Sequence, residues 1–117
     1  MKIYEMARLA HQNARAKGFW DDIEYPRNMS PSEHLAKHAL IMSEVAECTE
    51  AVRLPGFDPI ETKYTQSGKP EGLPSELADI VIRVFDYAEA LGIDIETAIV
   101  EKHSYNVTRP RKHGKTA

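Results

Sequence analysis

The chain has 117 residues, 42% apolar and 28% charged, with a net charge of −3, which predicts one ordinary soluble domain over residues 1–117. Net negative charge argues against nucleic acid as a partner, and no apolar run approaches the roughly 20 residues that cross a bilayer. Cys48 is the only cysteine, so an internal disulfide is excluded; with no signal-peptide pattern at the start, the expected location is cytoplasmic.

The apolar spacing predicts four helices and offers no strand signal, so the expected class is all-α. The first helix runs from about Ile3 to Lys17, with Ile3, Met6, Ala7, Ala10 and Ala14 on one stripe and Gly18 as its stop. A polar and aromatic connector follows to Asn28. The second helix starts at Ser30-Pro31-Ser32-Glu33, a serine cap followed by proline at the first helical position and glutamate three residues after the cap. It ends near Arg53. Residues 54–73 contain three prolines and three glycines without a usable period, and a loop this long in a compact domain is usually functional or disordered. The third helix spans about Pro74 to Leu91, with Leu77, Ile80, Val81, Val84, Ala88 and Leu91 as its expected buried stripe and Gly92 as its stop. The fourth starts at an Asp94 cap and reaches about Thr108, before a basic tail over 110–117.

Two acidic pairs carry the chemistry. Glu44/Glu47 and Glu76/Asp79 each have the i,i+3 spacing that puts both side chains on one helical face. Two facing helices can therefore direct four oxygen ligands at one point, a set that suits Mg²⁺ or Mn²⁺. Projection at about 100° per residue sets Glu44 at the edge of an apolar arc made by Ile41, Met42, Val45, Cys48, Thr49 and Val52. A carboxylate there is costly unless it is paired or bound to metal. On the third helix, Glu76, Asp79, Arg83 and Asp86 share a face that a solvated surface would explain equally well. On the fourth, Ile95, Ile99, Lys102, Asn106 and Arg109 form a stripe that changes from apolar to basic. Lysine, amide and arginine on one face suit phosphate oxygens, although a basic helix end also follows from the macrodipole.

In combination, E-x-x-E at Glu44/Glu47, E-x-x-D at Glu76/Asp79 and K-x-x-x-N-x-x-R at Lys102/Asn106/Arg109 resemble the MazG-like nucleoside triphosphate pyrophosphohydrolases of the all-α NTP pyrophosphatase superfamily. The Lys17-Gly-Phe-Trp20 segment and Lys37 add to the resemblance, which runs from about residue 10 to the C-terminus. It implies an oligomeric four-helix MazG-like bundle, a homodimer or dimer-based tetramer with its site walled by more than one subunit. It also implies Mg²⁺-dependent cleavage of a nucleoside triphosphate to the monophosphate and pyrophosphate, with Mn²⁺ as a possible substitute. Glu44, Glu47, Glu76 and Asp79 would be metal ligands, and Lys102, Asn106 and Arg109 phosphate ligands. Glu47, at the more open edge of its helix, is the candidate acceptor of the attacking water's proton. Trp20 is a candidate for stacking on the base, with a core or interface tryptophan as the alternative, and Lys37 a candidate phosphate contact. The 28 residues between Glu47 and Glu76 are a long spacer for this pattern, so residues 54–73 are open to a role as lid or oligomer contact.

Three other readings compete. A ferritin-like di-iron bundle expects E-x-x-H on two helices, and neither acidic motif here ends in histidine. A non-enzymatic helical module binding metal or, through its basic tail, nucleic acid is the second. A hydrolase removing a single phosphate is the chemically nearest third.

Overall fold

The structure, a computed structural model, describes residues 1–116; the last residue of the basic tail lies outside them. Its helices are α1 (Ile3–Ala16), α2 (Pro31–Val52), α3 (Leu73–Leu91) and α4 (Ile95–Val107), with 3₁₀ turns at Pro26–Asn28 and Arg111–Gly114. The chain is thus mostly helical. No helix among the described residues is long and apolar enough to cross a membrane.

The helix ends follow local chemistry. Ser30 Oγ accepts from the Glu33 N–H at 3.2 Å while Glu33 Oε1 accepts from the Ser30 N–H at 2.9 Å, a reciprocal capping box that starts α2. Asp94 Oδ1 accepts from the Thr97 N–H at 3.0 Å and starts α4. Gly92 ends α3 with a φ of +75°, and a Cβ there would lie 2.9 Å from the Arg27 guanidinium. Glycine suits that point because the turn is left-handed, and a side chain there would also make the Arg27 guanidinium shift.

One element departs from the expected all-helical pattern. Lys63–Tyr64 and Pro70–Glu71 pair antiparallel as β1 and β2, in the register Lys63 opposite Glu71. Both strands are exposed, so no burial period marks them in the sequence. The Thr65 N–H donates to the Lys69 carbonyl at 3.0 Å and the Gly68 N–H to the Thr65 carbonyl at 2.9 Å, closing the turn.

Helix α3 is the centre of the fold, packed against both α1 and α2, while α4 touches α1 and α3. Small side chains bring the helices close: Ala7, Ala10 and Ala14 on α1 and Ala88 and Ala90 on α3 are buried. Of the apolar stripe read from its sequence, α3 turns Ala88 inward and half-buries Ile80, Val84 and Leu91. Leu77 and Val81 are exposed, whereas Glu76 and Arg83 are half-buried and Asp86 is buried. That charged face is thus only partly solvated: Arg83 pairs with Glu44 and Asp86 is hydrogen-bonded, while Glu76 Oε2 is buried without a partner. Asp86 Oδ1 accepts from Trp20 Nε1 at 2.9 Å and lies 2.8 Å from His11 Nδ1. On α2 the inward side chains are Lys37, Glu44 and Cys48, while Met42, Val45 and Val52 of the expected apolar arc lie in solvent.

The Asp86 contacts make a clear expectation. Replacing Asp86 with alanine leaves the buried Trp20 N–H without an acceptor, a loss of about 1–3 kcal/mol. Urea unfolding followed by the fluorescence of Trp20, the chain's one tryptophan, should show the lower midpoint. An unchanged midpoint would remove Asp86 from the account of the core.

Candidate metal centre

The second and third helices meet along their acidic faces. Glu44, Glu47, Glu76 and Asp79 each present one carboxylate oxygen, and these oxygens all lie within 4.8 Å of one another. The i,i+3 spacing on each helix and the α2–α3 packing together place them there. Glu44 is 9% exposed, and its Oε1 accepts from Arg83 Nε at 3.1 Å. The Arg83 guanidinium in turn lies 4.4 Å from the centre of the Phe19 ring. This ion pair explains how Glu44 can sit among inward side chains.

Arg83 supplies one counter-charge to a group of four acids. Burial raises the pKa of Glu76 above its ordinary value of 4.5, and Glu47, Asp79 and Glu44 add to the rise. Burial likewise raises Asp79, with Glu44 as the next cause, while Arg83 and Lys69 act against it. Glu76 Oε2 is buried and has no hydrogen-bond partner in the protein. Converging like charges and an unsatisfied buried oxygen are chemistry that fits a cation-binding set. The cluster could therefore hold a metal ion, and its donor set is oxygen alone. Cys48 is not among the residues that converge there; burial pushes its thiol up from 9.0, and all four carboxylates push it further.

The other expected site residues lie elsewhere. Trp20 is 6% exposed and hydrogen-bonded to Asp86, and Lys37 Nζ sits 3.9 Å from the centre of its ring. The structure thus gives Trp20 its core placement rather than an open stacking face. Lys37 is buried and donates to the Phe19 carbonyl at 2.9 Å, so its ammonium is already engaged. Lys102 is exposed, 5.6 Å from the Tyr105 ring centre. Arg109 donates to the His113 carbonyl at 3.2 Å, and Asn106 Oδ1 is buried without a partner. Among the described residues, no hydrogen bond or ion pair joins these three to the acidic cluster. His34 and His38 both meet the Tyr87 hydroxyl, at 2.6 and 3.0 Å, away from the acids.

Beside the cluster lies a cleft of about 410 Å³ lined by Glu47 and Glu76 and by much of the 54–73 segment, including Lys63 and Lys69. Gly72 joins the hairpin to α3 at a φ of +117°, where a Cβ would lie 2.6 Å from the Glu61 carbonyl oxygen. Only glycine fits that approach. Sequence reasoning found the four acids but missed two cations. Arg83 had a signal, since it follows Asp79 by four residues on the same face; Lys69 had none beyond the turn residues around it.

No family model matches this chain, and no curated protein or solved structure matches it.

The raised pKa of Glu76 gives a stability test. The folded state binds protons that the unfolded state has released, so this group's contribution is most favourable below the ordinary carboxylate range. It is lost as pH rises through the raised value. In EDTA at pH 7, Glu76→Gln should melt at a higher temperature than the parent, and the gap should narrow towards pH 4. Millimolar Mn²⁺ should raise the parent's melting temperature and leave the variant's nearly unmoved. A variant less stable than the parent in EDTA at pH 7 would contradict the reading.

Proposed function

We propose that this chain is a Mg²⁺-dependent nucleoside triphosphate pyrophosphohydrolase, MazG-like, converting a nucleoside triphosphate and water to the monophosphate and pyrophosphate. The observation that carries the reading is the convergence of Glu44, Glu47, Glu76 and Asp79 within 4.8 Å, on the two helices and at the two spacings that the resemblance requires. An all-carboxylate set favours magnesium or manganese over softer metals, and without histidine it does not match the di-iron pattern. Magnesium bound there supplies charge neutralisation for the triphosphate and a more acidic attacking water.

The chain's own groups divide the remaining work. Glu44 is held by Arg83 and fixes the inner side of the cluster. Glu47 is the exposed member and faces the cleft, the position from which a carboxylate can take a proton from water in line with phosphorus. Positioning and charge stabilisation carry most of the acceleration in phosphoryl transfer. The open cleft admits a substrate to that edge without displacing the core.

The proposed enzyme is a homodimer or dimer-based tetramer, and the chain's shape supports this. Its radius of gyration is 16.6 Å, where a compact monomer of this length has about 13 Å. Its accessible surface is 8798 Å², roughly 2,400 Å² more than expected for this mass. Leu35 and Met42 on α2 are 64% and 69% exposed, and with Val45 and Val52 they follow the seven- and three-residue steps of a helix-pairing stripe. In this proposal Lys102, Asn106 and Arg109 keep the phosphate-binding role that the resemblance implies, from a neighbouring subunit. The free Cys48 accords with a cytoplasmic setting.

A panel of nucleoside triphosphates with Mg²⁺ should yield pyrophosphate, not orthophosphate. Glu47→Gln should bind nucleotide but lose on the order of 10²-fold or more in kcat, as expected for loss of a general base. Orthophosphate as the product would favour removal of one phosphate, and oligonucleotide binding without hydrolysis would favour the interaction module. No hydrolysis with either Mg²⁺ or Mn²⁺ would overturn the assignment.

A further inference from the structure

The basic stripe of α4 does not meet the acidic cluster within one chain, yet a polyphosphate beside that cluster needs cations. The hairpin provides them. Lys63 and Lys69 line the same cleft as Glu47 and Glu76, a volume of about 410 Å³ that lies within the usual range for small-molecule sites. The backbone of Lys69 is fixed on both sides, its carbonyl by the Thr65 N–H at 3.0 Å and its N–H by Thr65 Oγ1 at 3.1 Å. Its side chain is 72% exposed, and its single ionic contact is Glu71 at 4.0 Å. An exposed pair at that separation is weak. The result is a fixed stem with an ammonium free to take a better partner. Lys69 and Glu76 line the same cleft, so a ligand held at Glu76 lies in the space that Lys69 borders.

We propose that the β1–β2 hairpin is the polyanion grip of this site, with Lys69 binding phosphoryl oxygens of a metal-bound phosphoanhydride in the cleft. This inference rests on the phosphate chemistry proposed above. It adds a requirement that follows from the cleft's other charges. Glu50, Asp58 and Glu61 also line it, so without metal the cleft is net negative and repels a bare polyphosphate. Binding must therefore depend on the divalent cation, with the lysine acting as a point charge on the outer oxygens.

The test uses inorganic tripolyphosphate as the probe, measured by calorimetry on the full chain with Mn²⁺ and separately in EDTA. The wild type should bind with Mn²⁺ and not in EDTA. Lys69→Gln should weaken that binding by about tenfold or more, the scale of one charge-assisted hydrogen bond, and Lys69→Arg should restore most of it. Binding of Mn²⁺ alone, followed by its electron paramagnetic resonance signal, should be nearly the same in all three proteins, as should their melting temperatures. Unchanged tripolyphosphate binding by Lys69→Gln, no binding by the wild type, equal binding in EDTA, or a parallel loss of Mn²⁺ binding would each overturn the proposal. The two claims fail separately. A wild type that grips Mn²⁺-tripolyphosphate through Lys69 but hydrolyses no nucleotide removes the activity and keeps the grip. Hydrolysis with kcat/KM unchanged in Lys69→Gln removes the grip and keeps the activity.

Discussion

Four carboxylates brought to one point repel one another, and the fold is arranged around that repulsion. Arg83 answers Glu44 directly and Lys69 reduces the charge felt by Glu76 and Asp79, but two cations against four acids leave the cluster unbalanced. Burial makes the imbalance more costly, because the lower dielectric between α2 and α3 screens like charges poorly. A divalent ion removes the problem at once. The same four carboxylates could hold such an ion, whose charge would offset theirs.

This constraint reaches the rest of the architecture through α3. Its inward side carries Glu76, Arg83 and Asp86 beside Ile80, Val84, Ala88 and Leu91, while Leu77 and Val81 turn outward. The core that remains is built from alanines, Trp20 and Met29, with Asp86 as the acceptor that lets Trp20 be buried. A core of small residues lets three helices approach closely but buries little apolar surface. The exposed stripe on α2 and the open shape of the chain are the complement of that choice. The site and the proposed assembly are thus two consequences of one polar interior.

The sequence made the helix limits legible wherever a local device sets them, as at the Ser30–Glu33 box, the Asp94 cap and Gly92. It also showed the cluster, because i,i+3 spacing fixes a shared face regardless of what lies opposite. Glu44's inward position followed from projection alone. On α3 the apolar side at Ile80, Val84, Ala88 and Leu91 was legible, but the charged side was not, since it has the pattern of a solvated stripe and the partners of Arg83 and Asp86 come from other elements. Trp20's burial depends on Asp86, 66 residues away, a pairing no local pattern encodes. The hairpin escaped notice because its strands are two residues long and exposed, leaving no period to read. Lys69's importance arises only when that hairpin is laid beside Glu76.

The most direct test of the central claim is an anomalous difference map from crystals grown with millimolar Mn²⁺. The account expects a peak between α2 and α3, bonded at about 2.0–2.3 Å to oxygens of Glu44, Glu47, Glu76 and Asp79. Those crystals showing no peak at the four carboxylates, or manganese bound only elsewhere on the chain, would contradict it.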